Sequence, residues 1–171
     1  MQQNTQLTFL PFTIELAPYF KQINRQWIEQ MFTLEALDEA MLNFPQKYII
    51  DTGGYIWFAQ HPTLGIIGTC ALMQREPGKY ELTKMGVLTC ARDLKVGERL
   101  LQHVLQQIPS MAIKRLFLLT NKKCQAAIHL YQKNGFVHSQ KIMSDYGHAY
   151  ARCDVAMLYP LAKSSPSSPY R

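Results

Sequence analysis

Between Lys84 and Gly97 the chain reads Lys-Met-Gly-Val-Leu, then Thr-Cys-Ala-Arg-Asp-Leu-Lys, then Val96-Gly97 at the head of an amphipathic stretch. A strand, a basic loop and a helix N-terminus in that order make an anion site, because free backbone N–H groups and the positive end of the helix dipole point the same way. Arg92 and Lys95 add charge there, and Gly97 lets a ligand come close to the backbone. An ordinary strand-to-helix turn also carries polar residues and a glycine, so these residues alone fit both phosphate binding and plain turn chemistry.

The stretch resembles the GNAT superfamily of acyl-CoA-dependent N-acetyltransferases, and the likeness extends over an ordered set of segments. Lys84-Met85-Gly86-Val87 is similar to the strand that pairs with pantetheine. Arg92-Asp93-Leu94-Lys95-Val96-Gly97 is similar to the pyrophosphate loop, whose usual pattern is Q/R-x-x-G-x-G/A. Leu119-Thr120-Asn121, followed by Ala127 to Phe136, is similar to the strand and the A-x-x-L-Y-x-x-x-G-F helix that complete the coenzyme cleft. The order and spacing match from Glu81 to Phe136.

This resemblance implies acetyl-CoA as cosubstrate, an amine-bearing acceptor and no metal. It implies that Met85, Gly86 and Val87 lie along the pantetheine. Arg92, Asp93, Leu94, Lys95, Val96, Gly97 and Glu98 would hold the pyrophosphate, chiefly through backbone N–H groups, while Asn121, Ala127 and Tyr131 line the far side. Three residues depart from the pattern. Lys95 replaces the central glycine and is expected to adopt ordinary helical dihedrals, its cation offsetting lost backbone clearance. Asp93 stands where many members carry another glycine and is expected to turn away or cap the helix. Cys124 stands where many place an asparagine that contacts the pantetheine arm.

Acyl transfer to an amine needs a neutral nucleophile, a polarised thioester carbonyl and a proton for the departing thiolate. The resemblance assigns the second need to the strand backbone at Val87 and the third to Tyr131, whose phenol, with an unperturbed pKa of ~10, suits the task. A helix tyrosine anchored through its ring is the alternative for Tyr131. Glu81 is the candidate base: by alternation Glu81, Thr83 and Met85 share one face, and the carboxylate would reach the amine directly or through water. An exposed strand glutamate paired with a lysine fits it equally. Tyr146 and His148, in a loop from Ser144 to Ala149, are further candidates for the acceptor side. Glu35, Asp38 and Glu39 would attract a cationic amine, or simply form a solvated helix face.

The elements that must position these groups are legible from period and punctuation. A strand at Leu7 to Leu10 precedes a helix starting near Pro18, and Thr33 is expected to cap a second helix that Pro45 stops or kinks. Tyr55 to Gln60, Gly65 to Gln74 and Lys79 to Leu88 alternate as strands of an antiparallel meander. A helix from about Gly97 precedes a strand at Arg115 to Thr120, and a second helix at Ala126 to Lys133 is closed by Asn134-Gly135. Strands near Phe136 to Ile142 and Ala151 to Leu158 complete an α+β chain. The resemblance makes this a mixed, mainly antiparallel sheet flanked by helices, with splayed central parallel strands.

At 171 residues and 47% hydrophobic, the chain can bury a core as one domain, expected over residues 1–162, with the Ser/Pro-rich residues 163–171 as a disordered tail. The net charge of +6 favours anionic partners, but the basic residues are dispersed and nucleic acid is not expected. No apolar run approaches the ~20 residues of a membrane helix, and the first ten residues lack a signal-peptide pattern. Cys70, Cys90, Cys124 and Cys153 show no metal-site spacing and are read as reduced, mostly core thiols of a cytoplasmic protein. The last strand could pack against a second copy as a homodimer. A non-catalytic coenzyme-binding or partner-docking protein with the same fold is the rival reading.

Overall fold

A computed structural model describes residues 6–161 of the chain, so the expected tail lies outside the described residues. β1 (Thr8–Pro11) leads to α1 (Ala17–Met31), with Pro18 in its first turn, and then to α2 (Ala36–Asn43). β2 (Tyr55–His61), β3 (Gly65–Glu76) and β4 (Lys79–Val87) form the meander. α3 (Val96–Gln107), β5 (Arg115–Thr120) and α4 (Gln125–Lys133) follow, then β6 (Val137–His138), α5 (Gln140–Tyr146) and β7 (Val155–Tyr159). Among the described residues the strands make one sheet in the order β1-β2-β3-β4-β5-β7-β6, antiparallel except for the central β4–β5 pair. The architecture is the expected α+β one, a mainly antiparallel mixed sheet flanked by helices.

Alternation along the strands divides the core in two. Leu82, Leu116 and Leu118 pack against Leu100, Leu101 and Val104 of α3, each buried aliphatic side chain contributing ~1.5–3 kcal/mol. On the other face Ile56, Phe58 and Ala71 meet Phe20, Ile23 and Ile28 of α1 and Met41 and Leu42 of α2. Phe117, one residue out of phase with Leu116 and Leu118, lies under Ile142 and Tyr146 of α5.

Two local expectations are corrected and one holds. Glu35, not Thr33, caps α2, because its carboxylate accepts from the backbone at Asp38 while Asp38 accepts from the Glu35 N–H at 2.9 Å, a reciprocal box. Pro45 does mark the end of α2, as expected: the helix stops at Asn43, Phe44 leaves helical dihedrals, and a separate wide helical turn, Gln46–Ile50, starts after the proline. The strand expected over Phe136 to Ile142 is only two residues long, since the Ser139 hydroxyl accepts from the Ile142 N–H at 3.2 Å and starts α5. Ser144 to Ala149 is therefore the end of α5 and a short 3-10 turn rather than a free loop.

Candidate active site

β4 and β5 pair from Lys79 opposite Arg115 to Leu82 opposite Leu118, and then part. The expected splay is thus present, and the gap holds a cavity of about 440 Å³. Its β4 wall is shaped by a bulge. Ala71 faces Thr83 and Thr69 faces Gly86, so Lys84 and Met85 together oppose Cys70, with Lys84 in the left-handed region at φ 51. One extra residue reverses the alternation. Met85 and Val87 therefore join the α3 side of the core with Leu82, while a Cβ on Gly86 would strike Trp27 of α1 at 2.6 Å. The expectation that Glu81, Thr83 and Met85 share one face fails for this reason: Met85 lies on the face opposite Glu81.

Beyond Val87 a short helical turn, Thr89–Leu94, reaches Lys95, which sits at φ 55 and ψ 30. This corrects the expectation of ordinary helical dihedrals. The backbone there takes the left-handed turn that a glycine adopts at no steric cost, and lysine adopts it too. The first bond of α3 runs from the Arg99 N–H to the Lys95 carbonyl at 3.1 Å, so the N–H groups of Val96, Gly97 and Glu98 precede the intrahelical ladder. Gly97 and Glu98 border a second cavity of about 340 Å³ that shares Val87, Arg92, Ala126 and Leu130 with the first. Lys95, Gly97 and Glu98 line it, and Glu98 is paired with Lys133 at 2.7 Å. That ammonium holds the Glu98 carboxyl below its usual range. Leu94 packs into the core, and Asp93 is exposed and outside both cavity walls.

Tyr131 is 8% exposed, lines the larger cavity and leans edge-on against Phe136 with ring centroids 5.7 Å apart. Burial raises its phenol pKa well above the usual value, with Cys70 and Cys124 nearby adding to the shift. The group is a neutral donor throughout the physiological range. Ala127, Cys124 and Asn121 also line this wall. The Asn121 amide donates to the Arg152 carbonyl at 2.7 Å and its oxygen accepts from the Lys123 N–H at 2.9 Å, so this side chain fixes the loop before α4.

Glu81 is 1% exposed, ion-paired to Arg75 at 2.6 Å and hydrogen-bonded to the Thr83 side chain. It is neither an exposed strand residue nor part of the cavity wall; Thr83 is the wall residue between it and the cavity. Burial raises the Glu81 pKa, and Arg75 and Lys84 offset only part of the rise. His148 is exposed and outside both walls. Tyr146 stacks on Phe117 at 4.2 Å and donates to Glu76, likewise away from the cavity.

The opposite end of the larger cavity holds a polar cluster that sequence reading did not assemble. Lys84 lies 2.7 Å from Asp38 and donates to the Tyr150 hydroxyl at 3.0 Å. Arg152 grips the same Asp38 with both guanidinium nitrogens, at 2.6 and 2.8 Å, and Glu35 at 3.2 Å. Lys84, Tyr150 and Arg152 line the cavity; Asp38 and Glu35 stand behind them, and Glu39 is exposed elsewhere. The second helix therefore presents no carboxylate to the cavity, which removes the idea that Glu35, Asp38 and Glu39 attract a cationic amine there.

The cysteines divide similarly: Cys70 is buried, Cys124 and Cys153 are half-buried on the cavity wall, and Cys90 is exposed, outside the core reading. Among the described residues no cluster of His, Cys, Asp and Glu is placed to hold a metal ion, and no helix is long and apolar enough to cross a membrane.

Comparison with known proteins adds a family to this geometry. A family model described as the acetyltransferase (GNAT) family matches residues 20–136. The chain is 40% identical over 78 residues, 44% of its length, to an amino-acid acetyltransferase of Ralstonia nicotianae, and the match spans 16% of that relative's length. A GNAT-family acetyltransferase of Staphylococcus aureus has the same fold, with a TM-score of 0.80 at 20% identity over 92% of this chain and 100% of that one. So does N-acetylglutamate synthase of Neisseria gonorrhoeae, solved with coenzyme A and N-acetyl-glutamate, with a TM-score of 0.66 at 18% identity over 92% of this chain and 36% of that one.

Proposed function

The chain belongs to the GNAT acetyltransferase family, and from that premise we propose that it transfers the acetyl group of acetyl-CoA to a primary amine by direct attack in a ternary complex. The observation that carries the reading is the parting of β4 and β5 beside the bulge, which opens one continuous cleft from Tyr131 to the head of α3.

The residues present fit the coenzyme. The N–H groups at Val96, Gly97 and Glu98 stand ahead of the α3 ladder, and Arg92 and Lys95 add cations. Met85, Gly86 and Val87 on one side and Asn121 and Ala127 on the other would hold the pantetheine arm. Asp93 would remain in solvent. When bound, the coenzyme supplies an acetyl thioester.

In this reading the Val87 N–H polarises the carbonyl and the buried Tyr131 phenol gives its proton to the departing sulfur. Glu81 accepts the amine proton through the Thr83 hydroxyl, its raised pKa bringing it nearer to neutrality, where a base works best. Free cysteines, with Cys90 exposed, suit a reducing compartment, so the reading includes a cytoplasmic location.

Thermal unfolding with and without acetyl-CoA tests the reading, with coenzyme A and an unrelated polyanion as controls, followed by a screen for amine-dependent thiol release. At a hundredfold excess over Kd the coenzyme should stabilise by about 2.7 kcal/mol, and each kcal/mol moves Tm by about 2–4 °C at this size. No shift at millimolar acetyl-CoA overturns the proposal. A shift without thiol release for any amine leaves the non-catalytic alternative.

A further inference from the structure

The side chains that face the larger cavity have one sign of charge. Arg92 stands where the cavity joins the second one, and Lys84, Lys123 and Arg152 stand at the far end; among the described residues no aspartate or glutamate lines the wall. The carboxylates nearby are engaged behind it. Asp38 holds Lys84 and Arg152, Glu35 holds Arg152 and the Ala151 N–H at 2.7 Å, and Asp154 accepts from the Lys122 N–H at 2.8 Å. Glu81 is paired with Arg75. Lys123 differs from its neighbours: among the described residues no carboxylate lies within ion-pair distance of it, and its ammonium sits 5.7 Å from the centre of the Phe32 ring. Asn121 holds the backbone of the loop that carries it, its side-chain oxygen accepting from the Lys123 N–H. Around these cations the wall is apolar, with Trp27, Met31 and Phe32 from the end of α1.

We propose that the acceptor is an amine that also carries a carboxylate beside an apolar body, in the class of α-amino acids with apolar side chains. The proposal deepens the transferase reading and rests on it for the amine. Lys123 and the outward edges of Lys84 and Arg152 hold the carboxylate, and the α1 aromatics receive the side chain. The same cations disfavour the ammonium form of the amine and so increase the neutral fraction that can attack. A cationic polyamine would meet like charge with no compensating carboxylate in the wall.

Three matched sets test this: L-methionine, L-leucine and L-phenylalanine, each beside its carboxamide and its decarboxylated amine, at saturating acetyl-CoA with thiol release as readout. The acid should exceed both partners in kcat/KM by tenfold or more, with the advantage shrinking as salt rises. L-Methionine should exceed L-glutamate. Lys123→Ala, at an exposed position that leaves the backbone bonds in place, should bring the acid-to-amide ratio severalfold closer to one. A second readout needs no turnover: N-acetyl-L-methionine should raise the Tm of the protein saturated with coenzyme A more than N-acetyl-L-methioninamide does. Equal handling of acid and amide, preference for the decarboxylated amines or spermidine, preference for L-glutamate, or no binding of any acid each overturns the proposal. Acid-selective binding without acetylation of any amine would instead remove the transferase reading and leave the anion-selective cavity standing.

Discussion

Lys84 Nζ lies 2.7 Å from an Asp38 carboxylate oxygen, with both side chains sealed from solvent, and so ties the bulge of β4 to the first turn of α2. Arg152 closes the same carboxylate from the other side. Removing one partner of such a set leaves buried charge uncompensated, at a cost of about 3–5 kcal/mol. Asp38→Asn strands two cations and is expected to lose about that much stability in denaturant unfolding. Retention of wild-type stability would show that the cluster relaxes into water.

The same carboxylate sets an acid limit. Burial pushes the Asp38 pKa up, but Arg152 and Lys84 outweigh it and hold the group at about 2, below the ordinary 3.8. A depressed carboxylate contributes stability above its unfolded pKa and loses it as pH falls toward the folded one. About 2 kcal/mol should therefore disappear between pH 4 and 2. Melts across that window should show the loss in the native protein and a flatter profile in Asp38→Asn.

Tyr131→Phe removes only a hydroxyl from a ring already seated on Phe136. Folding and the acetyl-CoA-induced Tm rise should survive, while kcat falls by about 10²–10⁴-fold, the usual contribution of a positioned acid. Because its pKa is raised, ionisation of Tyr131 should cause no alkaline loss of rate below pH 10 in the native enzyme. Wild-type turnover in the phenylalanine variant would remove the acid role.

Glu81→Gln tests the base through its pH profile. Burial raises the Glu81 pKa, so the protonated, inactive form persists to higher pH than for an exposed glutamate. The acid limb of kcat/KM should lie above the ordinary glutamate range in the native enzyme and vanish in the glutamine variant, with the plateau lowered by about 10²-fold or more. An unchanged acid limb would assign the titration to another group.

Local signals suffice where period and punctuation agree: β5 begins and ends at the residues expected, Arg115 and Thr120, and Asn134-Gly135 closes α4 with Gly135 at φ 106. The bulge was hidden because its parity change depends on Cys70, in the neighbouring strand, opposing two residues at once. Lys84, Asp38, Tyr150 and Arg152 were invisible as a group for a similar reason, since they are 46 or more residues apart, except for the last two, and meet only through the sheet. For α5 the signal is local: Ser139 is a standard cap, and Ile142 and Tyr146 follow at helical spacing.

Lys95 offers the sharpest test of the loop. Its left-handed backbone costs a residue with a Cβ about 1 kcal/mol or more, whereas glycine adopts it freely. Lys95→Gly and Lys95→Ala both delete the ammonium, so they should weaken acetyl-CoA binding alike if the cation assists the pyrophosphate, and more at low salt than at high. They should differ in stability: the glycine variant should melt about 2–4 °C above the alanine variant, because only alanine retains the backbone strain. Equal melting temperatures would mean that the loop abandons the left-handed turn once the lysine is gone. In that case coenzyme affinity should fall further in the alanine variant than in the glycine one, since the N–H groups of Val96 and Gly97 would no longer be aimed by the turn that precedes them.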